Sequence, residues 1–306
     1  MYNEERKLDF LRETRQSSEY GISVFSATEE AERLADKDLC ELTSDEIQTL
    51  FDRHFGVRKR ATDSAIALMQ SYVKWCEDNG YSVSDGAFNL DIDMSAKIRR
   101  TMVMSPYDLG QILNETFDPV AEKTVDCLYR CFLWMAFIGI KDAIAIDLKV
   151  SQVDLDMMLI HLGDRDFDIY GEAIPSLRVA CEATEFTYKH AKYTTTRSRF
   201  PGDNLFRGVR SDSIQLSTIR AAVGHALAKK GYAISYTKLY LSGIFYKAYE
   251  AERRGFPVNF DEMVMEQLRS TDRVYNERYS ERKAARTIRQ DFFDDYERWK
   301  RAFSVT

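Results

Sequence analysis

The stretch ATDSAIALMQSYVKWCEDNGY (61–81) puts Ala65, Leu68, Met69, Tyr72, Val73 and Cys76 on one face of a helix and runs into Gly80. Apolar spacing of three and four recurs along most of the chain, and only five prolines and 14 glycines in 306 residues stand against it. Such a pattern requires a mainly α fold. With 44% hydrophobic and 30% charged residues, the chain can bury a sizeable core and is long enough for two domains.

Local signals place the elements. Helix starts are expected near Ser26 or Thr28 and at Thr43 or Ser44, the second with Glu46 in its first turn. Ser105-Pro106 starts another helix, and Asp118-Pro119 starts one that runs through VAEKTVDCLYRCFLWMAFIGI. SQVDLDMMLIHL and DFDIYGEAIPS read as strands of a hairpin turning around GDRD, with helix again from there to the end. The irregular DGAFNLDIDMSAKIRRTMVMS has linker composition, so a domain boundary is expected near 97–104. The resulting division is an acidic helical segment over 1–40, a helical domain with linker over 41–100, and a larger helical domain with a small sheet over 101–306.

No apolar run approaches the roughly 20 residues of a membrane span, and MYNEERKLDF is too charged for a secretory signal, so a cytoplasmic protein is expected. Cys40, Cys76, Cys127, Cys131 and Cys181 lack paired C-x-x-C spacing and read as buried reduced thiols. Neither a metal nor a cofactor is called for. His161 and His225 read as structural.

The net charge of −6 is unevenly spread: residues 1–56 carry 14 acidic and 7 basic side chains, leaving the remainder at +1. Three basic clusters stand out. FTYKHAKYTTTRSRFPGDNLFRGVR (186–210) holds Lys189, Lys192, Arg197, Arg199, Arg207 and Arg210 against the single acid Asp203. VRKRAT supplies Arg58, Lys59 and Arg60 before a helix start, and AKIRRT supplies Lys97, Arg99 and Arg100. Any one cluster could be a solvated face; together they suit a phosphate backbone.

FIGIKDAIAIDLKVSQVDLD (137–156) resembles the phrase with which tyrosine recombinases, the phage-integrase family, present their first catalytic arginine. That family shows T-G-x-R, a Glu three residues after the Arg, a Leu seven after it, and a hydrophobic-Asp strand start. Gly139, Leu148, Val153 and Asp154 keep the frame, while Lys141 stands at the arginine and Ile144 at the glutamate. Further on, KKGYAISYTK matches Lys-x-Gly followed by H-x-x-R, with Ser235 for the histidine and Lys238 for the second arginine. EQLRSTDRVYNERY puts Ser270 at the next histidine and Tyr279 at the nucleophile, Tyr275 being the alternative register. The hairpin lysine has no counterpart beyond Arg165.

The resemblance spans about residues 42–280 and implies a helical, SAM-like core-binding domain and a catalytic-type domain clamped around double-stranded DNA. It also implies lost chemistry. Lysine keeps a positive charge but not the planar fork that aligns two phosphate oxygens, and removing one such preorganised donor typically costs on the order of 10²–10³ in rate. The expectation is therefore a catalytically inactive, sequence-specific DNA-binding protein, a regulator or repressor of the kind a phage encodes. Its contacts would come from Arg58, Lys59, Arg60, Lys97, Arg99, Arg100, Lys141, Lys192, Arg197, Arg199, Arg207, Arg210 and Lys238. Two alternatives stay open: an active, divergent recombinase using Tyr279 with Lys141 and Lys238, and an interaction protein acting through its acidic N-terminus. Ile288, Phe292, Tyr296, Trp299 and Phe303 form one stripe near the end, suited either to self-association or to packing on its own domain.

Overall fold

The computed structural model describes residues 1–87, 90–270 and 281–305. It divides into two compact units, residues 1–98 with 260–306, and residues 99–259.

Unit 1 contains α1 (Glu4–Glu13), α2 (Ser18–Ala35), α3 (Ser44–His54), α4 (Lys59–Asp78) and the first half of α5 (Ser95–Thr101), which carries the boundary. The face read for α4 is the buried one, from Ala65 to Cys76, and Gly80 closes the helix at φ 77°. Phe10, Phe25 and Tyr72 meet edge to face, with centroids 5.1–6.0 Å apart, a favoured arrangement for aromatic quadrupoles. Inside this core Lys7 and Glu32 form a fully buried ion pair at 2.5 Å. The Glu32 carboxylate also accepts from Thr28 Oγ1 and from the Leu39 amide, each at 2.7 Å, which satisfies the oxygens that burial strips of water.

α3 starts where its sequence says it should. The Thr43 hydroxyl accepts from the Glu46 amide and the Glu46 carboxylate accepts from the Thr43 amide, so two otherwise unpaired donors are closed. The Thr43 amide holds the Glu46 carboxyl below its usual range. Thr43→Ala is expected to lower stability by about 1 kcal/mol, read as a shift in the urea midpoint. α2, in contrast, starts at Ser18 and passes straight through Ser26 and Thr28. Thr28 lies inside the helix and its hydroxyl is taken by the Glu32 carboxylate one turn on, so it caps nothing.

Residues 260–306, read in sequence with the larger domain, cluster with residues 1–98. α12 (Asp261–Ser270) and α13 (Glu281–Ala302) pack on each other, and α13 packs on α4. The terminal stripe is spent inside the unit: Phe292, Tyr296 and Trp299 are buried, and Phe260 lies 5.7 Å from the Phe292 ring and 5.8 Å from Tyr296.

Unit 2 is built around α7 (Asp126–Ile138). From Cys127 to Ile138 all but Tyr129 is buried, as a helix apolar on every side must be. α6 (Pro106–Thr116) begins at Ser105, whose hydroxyl accepts from the Asp108 amide, with Pro106 in the first turn. The helix expected from Pro119 is interrupted: a single turn over Val120–Glu122 ends at Lys123, φ 49°. There the Val125 amide bonds the Thr187 carbonyl at 3.2 Å, so this backbone is used by a strand.

After α7 come α8 (Asp142–Ala145) and an antiparallel sheet of β1 (Val153–Asp154), β2 (Leu159–Leu162) and β3 (Arg165–Asp168) in the order 1-2-3. Ile160 and Phe167 face each other on the buried side, and Gly163 makes the turn at φ 65°. α9 (Ile174–Glu182) follows, then a second hairpin, β4 (Glu185–Lys189) and β5 (Thr194–Ser198), where helix was expected. Its Thr-rich, aromatic sequence suits a pleated surface, and Thr187 faces Thr196 across it. α10 (Leu216–Lys229) and α11 (Tyr236–Arg253) complete the unit. Lys247 of α11 donates to the Ile138 carbonyl at 2.8 Å, and Gly139 turns away at φ 99°, so the end of α7 is firmly closed.

Candidate nucleic-acid interface

Lys141 is the residue before α8, and the Ile144 and Ala145 amides bond its carbonyl. Lys238 lies in the first turn of α11, where its amide donates to the Ser235 hydroxyl at 3.3 Å. Ser235 thus has a structural task as the N-cap, and serine does it well where a histidine would not. The Tyr236 hydroxyl donates to the Ile140 carbonyl at 2.8 Å, tying the start of α11 to the residue preceding Lys141. Burial pushes the Tyr236 phenol well above its usual value. The edge borders a cleft of about 370 Å³ with Phe132, Val223 and Ile234 in its wall. At its rim Arg220 Nε lies 2.8 Å from Asp142 Oδ2. The replaced glutamate position, Ile144, is 48% exposed. Tyr279 and Tyr275 lie outside the described residues.

The 186–210 cluster is divided by the fold. Lys192, Arg197 and Arg210 are exposed, and none is in an ion pair among the described residues. Lys192 and Arg197 belong to the β4–β5 hairpin, Lys192 in its turn and Arg197 on β5. Lys189 is spoken for by Asp118 at 3.0 Å and by Glu122. Arg207 donates to the Asn204 carbonyl at 2.9 Å.

Arg199 is a correction. It was expected on the DNA surface but is 6% exposed, and its guanidinium donates to the carbonyls of Ala180 at 2.5 Å, Ala183 at 3.0 Å and Leu205 at 2.8 Å. It also lies over the Phe186 ring at 4.8 Å. Two of those carbonyls close the end of α9, where a cation is favoured. Burial, with Arg207 second, brings its pKa down to about 10. Lys97 is a second correction: its ammonium donates to the carbonyls of Phe51, at 3.1 Å, and Phe55, at the end of α3. Arg99 and Arg100 are exposed on the last turn of α5.

The VRKR cluster is occupied from within unit 1. Arg58 Nε lies 2.5 Å from Asp295, Arg60 Nη1 lies 3.1 Å from Asp291, and Lys59 Nζ lies 2.7 Å from Asp63 and 3.7 Å from Asp294. The first α4 amide, that of Lys59, donates to Asp295 Oδ1 at 2.7 Å. Nothing in sequence spacing signals a pairing across 236 residues.

Asp38, Cys40 and Cys76 are buried together, with one ligand atom from each within 4.8 Å of the others. The Asp38 carboxylate is already engaged by Tyr72 Oη at 2.9 Å, Asn3 Nδ2 at 2.8 Å, the Cys40 amide at 3.2 Å and Arg6 at 3.4 Å. That donor set, with a guanidinium in it, describes a polar core rather than a cation cage. His161 pairs with Asp166 at 2.7 Å across the first hairpin.

The described residues of these units form a mainly helical protein with two small sheets. Residues 1–78 match the family model described as "MrpR, N-terminal core-binding domain". Among curated proteins none matches the chain. Among solved structures, "Crystal structure of XerA recombinase" aligns with 89% of this chain and 98% of its own at 14% identity and a TM-score of 0.37. "Integrase from mycobacterium phage Brujita" aligns with 99% and 93% at 11% identity and a TM-score of 0.36. Neither likeness assigns a role to a residue here. Among the described residues no helix is long and apolar enough to cross a membrane.

Proposed function

We propose that the protein binds double-stranded DNA in a sequence-specific way without cutting it, and acts as a transcriptional regulator or repressor of the kind a phage would encode. The observation that carries this reading is the core-binding-domain match over residues 1–78, since in the resembled family that domain is half of a DNA clamp. Lys192, Arg197 and Arg210 support it as exposed cations for phosphate contact, with Lys141 and Lys238 as point charges on the edge where an active enzyme would carry arginine forks. The use of Ser235 as a helix cap supports the loss of chemistry, because its hydroxyl is committed to the α11 backbone.

The test is a titration of a labelled duplex library at rising salt, with the bound fragments sequenced. Affinity is expected to fall on the order of 10³-fold between 50 and 200 mM salt if about six phosphates are contacted. Replacing Lys192, Arg197 and Arg210 together with Ala should weaken binding on all sequences by on the order of tenfold or more and flatten that salt dependence. Fragments from promoters should dominate. A response that does not change with salt would defeat the reading and leave the acidic N-terminus as the working surface. An SDS-resistant adduct on a nicked site, lost in Tyr279→Phe, would return the protein to the recombinases that cut.

A further inference from the structure

Asp291, Asp294 and Asp295 fall on one face of α13, at spacings of three and four, and that face lies on the cluster Arg58-Lys59-Arg60. Adding Asp63 and its partner Arg298, 3.5 Å away, four carboxylates meet four cations. A cluster that reads as basic in the sequence is therefore close to neutral in the folded protein.

The contact has two tiers. Asp295 is held deep: 9% exposed, it bonds the Arg58 guanidinium and the Lys59 amide while Tyr296 and Trp299 bury beside it. Arg58 is the N-cap residue of α4 and its side chain makes no cap bond, so α13 provides the capping oxygen that α4 lacks. Asp291 and Asp294 instead sit at the rim, at 22% and 34% exposed, facing Arg60 at 60% and Lys59 at 35%. Rim pairs of this kind are weak and exchangeable. A phosphate approaching Lys59 and Arg60 must displace or share those carboxylates.

We propose that α13 is an acidic strap that restrains DNA binding by this edge of unit 1. Asp295 anchors the strap, and Asp291 and Asp294 compete with phosphate for Arg60 and Lys59. The proposal rests on the DNA-binding reading above. It does not require α13 to leave, which would expose Phe292, Tyr296 and Trp299; the rim side chains need only change partner.

The full-length double variant Asp291→Asn/Asp294→Asn keeps the shape of the rim and removes two charges. Its affinity for a fluorescent 40-base-pair duplex of mixed sequence should rise on the order of tenfold at about 50 mM salt, with a steeper salt dependence as two more cations reach phosphate. Glu5→Gln/Glu19→Gln, both exposed and in no ion pair with the cluster among the described residues, changes net charge equally and should gain much less. Arg60→Gln should cost little affinity in the natural protein and clearly more in Asp291→Asn, a coupling that a purely structural pair does not produce. An unchanged or weakened affinity in the rim variant overturns the strap, as does an equal gain in the Glu5/Glu19 control. If the natural protein binds with a steep salt response and the rim variant matches it, the strap alone fails. If neither binds at low salt, the DNA reading fails with it. Binding by the rim variant alone supports both.

Discussion

Arg199→Ala should destabilise the protein by about 3 kcal/mol or more, because it leaves three buried carbonyls without a donor and each costs about 1–3 kcal/mol. The three are those of Ala180, Ala183 and Leu205, and the ring of Phe186 loses its stacked guanidinium as well. Lysine at this position keeps a charge but reaches fewer of the carbonyls, so Arg199→Lys should recover only part. Arg197, two residues earlier and exposed, is the internal control: Arg197→Ala should stay within about 0.5 kcal/mol while weakening DNA binding. Urea unfolding of the three variants measures this. A loss below about 1 kcal/mol for Arg199→Ala, against the typical cost of even one orphaned group, would mean the guanidinium is replaceable and would reopen its assignment to the surface.

Gly243→Ala should cost about 3 kcal/mol or more, at or beyond the usual range for overpacking. Gly243 lies in α11 where that helix crosses α7, and a Cβ built there meets the Phe137 carbonyl oxygen at 1.8 Å and its carbon at 2.6 Å. Both are backbone atoms of the most buried helix of unit 2, so no side chain can swing aside. α7 and α11 would have to move apart, opening the contacts around Phe137. Gly224, within α10, has nothing within 4 Å of a built Cβ, and Gly224→Ala should stabilise by roughly 0.5–1 kcal/mol through helix propensity alone. Thermal melting of the pair checks the contrast. Equal melting temperatures would show that the helices can separate at no cost.

How far the candidate interface could be read in advance differs residue by residue. Lys192, Arg197 and Arg210 look the same in the sequence as Arg199 and Lys97, since each is a cation within two residues of a Ser or Thr. Only the last two are drawn to helix ends, Arg199 to α9 and Lys97 to α3, where unpaired carbonyls attract them. Lys141 and Lys238 were found through their place in a motif. Its frame residues explain themselves structurally: Gly139 takes a left-handed turn and Leu148 is buried.

The sequence by itself determined the mainly helical character of the chain, the buried face of α4, the Thr43–Glu46 box, the Ser105-Pro106 start and the β2–β3 hairpin. All of these rest on residues within a few positions of one another, where spacing and capping chemistry act directly. Tertiary structure alone decided the break before α7, the β4–β5 hairpin's use of the Val125 amide, and the burial of Arg199. It also placed α13 on α4, 236 positions from Asp295 to Lys59. There the partner of each charge is chosen by packing between distant segments, and a cation's local sequence carries no record of which carboxylate or carbonyl the fold will bring to it.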